Sequence, residues 1–192
     1  GFGYLDTSSH ELVHLIISQK TFNHTPIWIH ESLAKYEENR WRSDEDDYKP
    51  GLSPLASTRL KRAIDEKRLV SFEQMHPSMA LLPSAEAAAL AFDEVYTVTE
   101  FLLKRKGYEG LRALLAGLAD GKGDFQVIQE VYGLDRKSFV RQWTRYMKGR
   151  PGVELQGEVG ALQLRAEAPA GSEAERNLAS MRRVDLRDPF HL

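Results

Sequence analysis

Apolar residues recur along this chain at three- and four-residue intervals over most of its length, the spacing of one buried helix face rather than of alternating strands. The first such stretch carries Leu12, Val13, Leu15, Ile16 and Ile17. Thr7, Ser8 or Ser9 is expected to cap it, and it should end near Lys20, because Phe22-Asn23-His24-Thr25-Pro26 reads as a loop. Pro26 disfavours helix at Thr25 and suits the opening turn of a second helix. That helix is predicted from Ile27 to Arg42, with Trp28, Leu33 and Ala34 inward. A third should run from Pro54 to Arg68 with a basic exposed face, and Val70 to Pro83 reads as irregular. Ser84 is a good cap for a long helix from Ala85 to about Lys106, stopped by Gly107. Helices over Tyr108–Ala119 and Asp124–Tyr132 follow, the latter stopped by Gly133. Asp135 caps the last, to about Lys148, with Trp143 and Tyr146 on its core side.

The fold class is therefore mainly α, with one helical domain over residues 1–149 and a tail over 150–192. Past Gly149-Arg150-Pro151-Gly152 the composition shifts. Val159 to Arg165 alternates partly and suggests one short strand, Ala166 to Glu175 reads as a linker, and the end shows a weak helical pattern. Ser43-Asp44-Glu45-Asp46-Asp47 reads as a solvated acidic connection. It lacks the alternating ligands, mid-loop glycine and terminal glutamate of a calcium loop.

Composition narrows the function. With 26 Lys and Arg against 28 Asp and Glu in 192 residues, the net charge of −2 gives no basic footprint for nucleic acid. No apolar run approaches the roughly 18 residues that span a bilayer. Cysteine is absent, which excludes thiolate nucleophiles and thiolate zinc ligands. The chain opens at Gly1 with no signal-peptide pattern ahead of its first motif, so upstream sequence is expected to lie outside it.

The chemistry gathers in the first helix, at His10-Glu11-Leu12-Val13-His14. Histidines at i and i+4 project from one helix face, so both imidazoles can reach a single ion. Glu11 is rotated about 100° from His10 around the helix, beside the ion rather than on it, where it can handle a water molecule. A third ligand is expected in Glu31. The interval from His14 is long enough to finish one helix, turn and start an antiparallel partner. A carboxylate near the inward seam of that partner would be costly unless paired or metal-bound. Two histidines and one glutamate leave a fourth position open, as in a catalytic rather than a structural zinc site.

The segment Thr25-Pro26-Ile27-Trp28-Ile29-His30-Glu31-Ser32-Leu33-Ala34-Lys35-Tyr36 resembles the P-x-W-x-x-E-G-L-A-x-Y segment of the peptidase MA-like zinc metallopeptidases, of the gluzincin (thermolysin-type) clan. That family carries H-E-x-x-H ahead of it. The run from Leu90 to Leu102 is similar to the family's long helix, and Tyr132-Gly133-Leu134 with Trp143-Thr144-Arg145-Tyr146 to its closing pattern. The resemblance covers about residues 4–148. It implies a helical zincin-type catalytic subdomain, Zn²⁺ held by His10, His14 and Glu31, and peptide hydrolysis with Glu11 as general base. It further implies a peptide or protein substrate, and export or envelope association in a bacterium. Tyr96, on the long helix, is the first candidate to stabilise the oxyanion; His30 and His24 are weaker ones, and His30 is expected at the surface.

Three departures stand out. Ser32 replaces a glycine. Lys35 stands where thermolysin-type enzymes place an aspartate that orients a histidine, leaving His10 without an evident partner. Glu37 and Glu38 could substitute but read as surface charges. The β-sheet that the resemblance places ahead of the zinc helix is not in this sequence, so either the sequence is a fragment or the substrate groove is built differently. Two other readings stay open: a catalytically inactive metal-binding scaffold or peptide-binding module, and a metal-free helical interaction domain.

Overall fold

The computed structural model describes residues 3–43 and 51–150. Six α-helices follow one another, with no strand among the described residues: α1 (Gly3–Thr21), α2 (Ile27–Glu37), α3 (Pro54–Asp65), α4 (Ala85–Ala119), α5 (Asp124–Tyr132) and α6 (Arg136–Lys148). Short 3-10 turns lie at Arg40–Arg42 and Met79–Leu81. The acidic run after Ser43 lies outside the described residues, as do the tail's expected strand, linker and weak helix.

Local chemistry accounts for most of the element ends. Ser53, Ser84 and Asp135 each accept a hydrogen bond from the backbone N–H three residues on, at Ala56, Ala87 and Ser138. Gly133 closes α5 in the left-handed region at φ 69°. Gly107, the expected stop, breaks α4 into two segments: with φ 57° and ψ −163° it turns the axis there, and helix resumes beyond it.

Three boundaries differ from the sequence reading. Helix α1 begins at Gly3, so Thr7, Ser8 and Ser9 lie inside it; the Thr7 hydroxyl donates to the Gly3 carbonyl and that of Ser9 to the Glu37 carbonyl. Helix α2 stops at Glu37 rather than Arg42. The chain there passes into the 3-10 turn whose Trp41 indole and Arg42 guanidinium both donate to Asp6 on α1. Helix α3 stops at Asp65, because Lys67 adopts φ 54° and the Arg68 N–H returns to the Ala63 carbonyl.

Helix α2 packs against both α1 and α4. Trp28 enters an aromatic core with Phe72, Phe125 and Phe139 and donates through its indole to Asp124 at 2.9 Å. Ser32 donates to the Val95 carbonyl at 2.7 Å and lies 2.6 Å from the Thr99 hydroxyl, tying α2 to the buried face of α4. A glycine at 32 could make neither bond. Trp143 is fully in the core as expected, its indole donating to Thr97. Residues 70–83 are irregular, as their sequence predicts, yet Val70, Phe72, Met75 and Met79 are buried. Helix α1 is different. Ile17 is buried and Val13 half-buried, while Leu5, Leu12, Leu15 and Ile16 are exposed, so only one side of this helix is covered among the described residues.

Candidate metal centre

Two helices bring three side chains to one point. His10 and His14 sit one turn apart on α1, their rings 4.7 Å apart and nearly perpendicular. Glu31 comes from α2, four residues past its first. The Nε2 atoms of the two histidines are 3.0 Å apart; Oε2 of Glu31 is 3.3 Å from that of His10 and 3.6 Å from that of His14. Donor atoms at zinc distances of about 2.0–2.1 Å from one tetrahedral centre stand about 3.3–3.4 Å apart. The three observed separations bracket that edge.

The outer sides of the rings are also occupied. Nδ1 of His10 lies 3.3 Å from Oε2 of Glu38, and Nδ1 of His14 lies 3.2 Å from Nδ1 of His30. A carboxylate can only accept, so Nδ1 of His10 donates to Glu38, and Nε2, on the side of Glu31, is the nitrogen a metal would take in exchange for its proton. His30 was expected at the surface. It is buried instead, because α2 packs its first turns against α1, and burial together with the neighbouring His14 pulls it below its ordinary pKa. Glu38 was read as a surface charge and is also mostly covered. Burial opposes its ionisation, but His10 and Lys35 outweigh that and hold it below the usual carboxylate range. Glu37 faces outward, toward Arg40 and the Tyr108 hydroxyl.

These side chains shift one another's ionisation. Burial disfavours charge on both His10 and Glu31. The two glutamates override it and raise His10 to about 9, and the two histidines override it and lower Glu31 to about 2. Oε2 of Glu31 is nonetheless buried without a well-formed hydrogen bond. An orphaned carboxylate oxygen facing two ring nitrogens is what a divalent cation would satisfy, displacing the proton from His10. His10, His14 and Glu31 are the group among the described residues able to hold a metal ion, with their donor atoms all within 4.8 Å of one another.

The sequence profile of the Peptidase MA superfamily matches residues 5–149. The chain belongs to the Peptidase MA superfamily. No curated protein and no solved structure matches it. This peptidase MA-like protein thus has a peptidase-like helical domain, from a family that is typically metal-dependent, with a His-His-Glu constellation where the sequence spacing puts it. No helix is long and apolar enough to cross a membrane among the described residues.

The structure does not bring the remaining candidates into this group of three. Glu11 is exposed on α1, at the position after His10. Tyr96 is buried on α4 with its ring 5.3 Å from that of Tyr36 on α2. His24 is exposed beyond α1, near the Ala119 carbonyl.

Proposed function

We propose that this protein is a zinc-dependent peptidase in which His10, His14 and Glu31 hold the ion and Glu11 is the general base. The observation that carries the reading is the convergence of two Nε2 atoms and one orphaned carboxylate oxygen at tetrahedral-edge distances. Their chemistry fits zinc, a borderline cation that takes imidazole nitrogen and carboxylate oxygen. When bound, zinc supplies the Lewis acidity that polarises a peptide carbonyl and makes water a competent nucleophile near neutral pH. The chain's own residues supply the rest. Glu11, unburied and one position from a ligand, accepts the proton of the attacking water and returns it to the departing amine nitrogen. Tyr96 is the proposed second electrophile, its hydroxyl donating to the oxyanion that develops on the former carbonyl oxygen.

A peptide-cleavage assay on zinc-loaded protein tests the reading. Glu11→Gln should keep its zinc and lose about 10²–10⁴-fold in kcat, the usual range for a general base. Undiminished turnover would remove Glu11 from the mechanism. In the same assay Tyr96→Phe should lower kcat about 10²-fold with zinc retained; unchanged kcat would leave Tyr96 as a packing partner of Tyr36. Wild-type protein that binds zinc and cleaves nothing would favour the inactive scaffold.

A further inference from the structure

Glu38 lies seven residues past Glu31, close to two full helical turns, so the two carboxylates share one face of α2. His10 is held between them. Its Nε2 faces Oε2 of Glu31 at 3.3 Å and its Nδ1 faces Oε2 of Glu38 at 3.3 Å. Lys35 sits on the same face between the two glutamates and grips the other Glu38 oxygen, Nζ to Oε1 at 2.5 Å. The Glu38 side chain is only 15% exposed, so this is not a solvated surface pair.

From this geometry we infer that Glu38, pinned by Lys35, is the positioning residue for His10: it fixes which ring nitrogen bears the proton and the plane in which Nε2 is presented to the ion. The inference rests on the zinc reading above and adds to it a residue outside the ligand set. A carboxylate behind a metal-bound imidazole sets its tautomer and strengthens it as a donor, and losing one typically costs 10–100-fold in metal affinity. Lys35 has a definite part. By occupying Oε1 it leaves Glu38 one oxygen for the ring, and the ion pair keeps Glu38 from turning toward the metal as a competing ligand. His14 has a different counterpart in His30, Nδ1 to Nδ1 at 3.2 Å, an imidazole where His10 has a carboxylate.

The test is zinc affinity, measured by competition with a chromophoric chelator, for wild type, Glu38→Ala, the near-isosteric Glu38→Gln and the outward-facing control Glu37→Gln. The expected result is a loss of tenfold or more in both Glu38 variants and none in the control. A second reading, independent of affinity and activity, is the ring N–H proton of His10 in the zinc-loaded protein. It should be slowly exchanging and shifted downfield in wild type, and lose both properties in Glu38→Ala. Affinity changed by less than tenfold in both variants, with the ring proton unmoved, overturns the role of Glu38 while leaving the zinc site standing. Wild-type protein that binds no zinc overturns both.

Discussion

Glu31 and Glu94 are the same residue type, both largely buried in a helix, and they titrate in opposite directions. Glu94 lies fully buried on α4. Its Oε1 accepts from the Val70 N–H at 2.8 Å and its Oε2 has no partner, so burial, unopposed by any cation, pushes it up to about 8. Glu31 meets the same penalty, but two imidazoles reverse it and take it down to about 2. One carboxyl is a neutral hydrogen-bonding anchor that ties the irregular segment after α3 to the core. The other is kept charged by two imidazoles able to donate to it. Depth of burial does not separate the two; the company each keeps does.

Removing each carboxyl in turn should break that comparison most visibly. Glu31→Ala takes away one of three ligands, and bound zinc should fall from about one ion per chain to nearly none, read by elemental analysis after dialysis. Glu94→Gln should leave zinc content alone. Retained zinc in the first variant, or lost zinc in the second, would dissolve the distinction.

A smaller effect sharpens it. Because Glu94 titrates at about 8 in the folded chain and near 4.5 unfolded, the folded state binds the extra proton between those values. Its stabilising contribution is complete below pH 4.5 and is lost as the pH rises through 8. Asp93, lifted to about 6 by burial despite its two-pronged contact with Arg59, titrates lower, while His10, raised to about 9, shares the interval from pH 6.5 to 8 with Glu94. Urea unfolding from pH 6.5 to 8 should show wild-type stability falling with pH, Glu94 contributing up to about 1.4 kcal/mol per pH unit, the slope of a single proton. Glu94→Gln should remove that one-proton share and leave the part due to His10. An equal slope in both proteins would show that Glu94 is already ionised at neutral pH.

The sequence exposed the parts of this site that depend on helical spacing. His10 and His14 are one turn apart in any helix, and Glu31 falls where a returning helix starts. Ser84, Asp135 and Gly133 act as caps and stops through bonds and angles local to them. What stayed hidden depends on how α1 and α2 approach each other. Glu38 and His30 follow patterns typical of a solvated face and an off-face ring, and only the closeness of the two helices turns them toward His10 and His14. A signal for Glu38 was nevertheless present: its seven-residue interval from Glu31 places both on one face. The early start of α1 was obscured for a related reason. Tyr4 and Leu5 are exposed, so no buried periodicity marks that first turn, and of the residues that look like caps Thr7 bonds within α1 and Ser9 to α2. The end of α2 is set by Asp6, a partner 35 residues away from Trp41 in sequence.

The account rests on His10, His14 and Glu31 sharing one ion, and X-ray absorption at the zinc edge of the loaded protein measures that directly. Two imidazole nitrogens and a carboxylate oxygen at about 2.0–2.2 Å, with the imidazole scattering halved in His14→Ala, is the predicted result. A zinc shell made of oxygen alone, or one unchanged by His14→Ala, would contradict it.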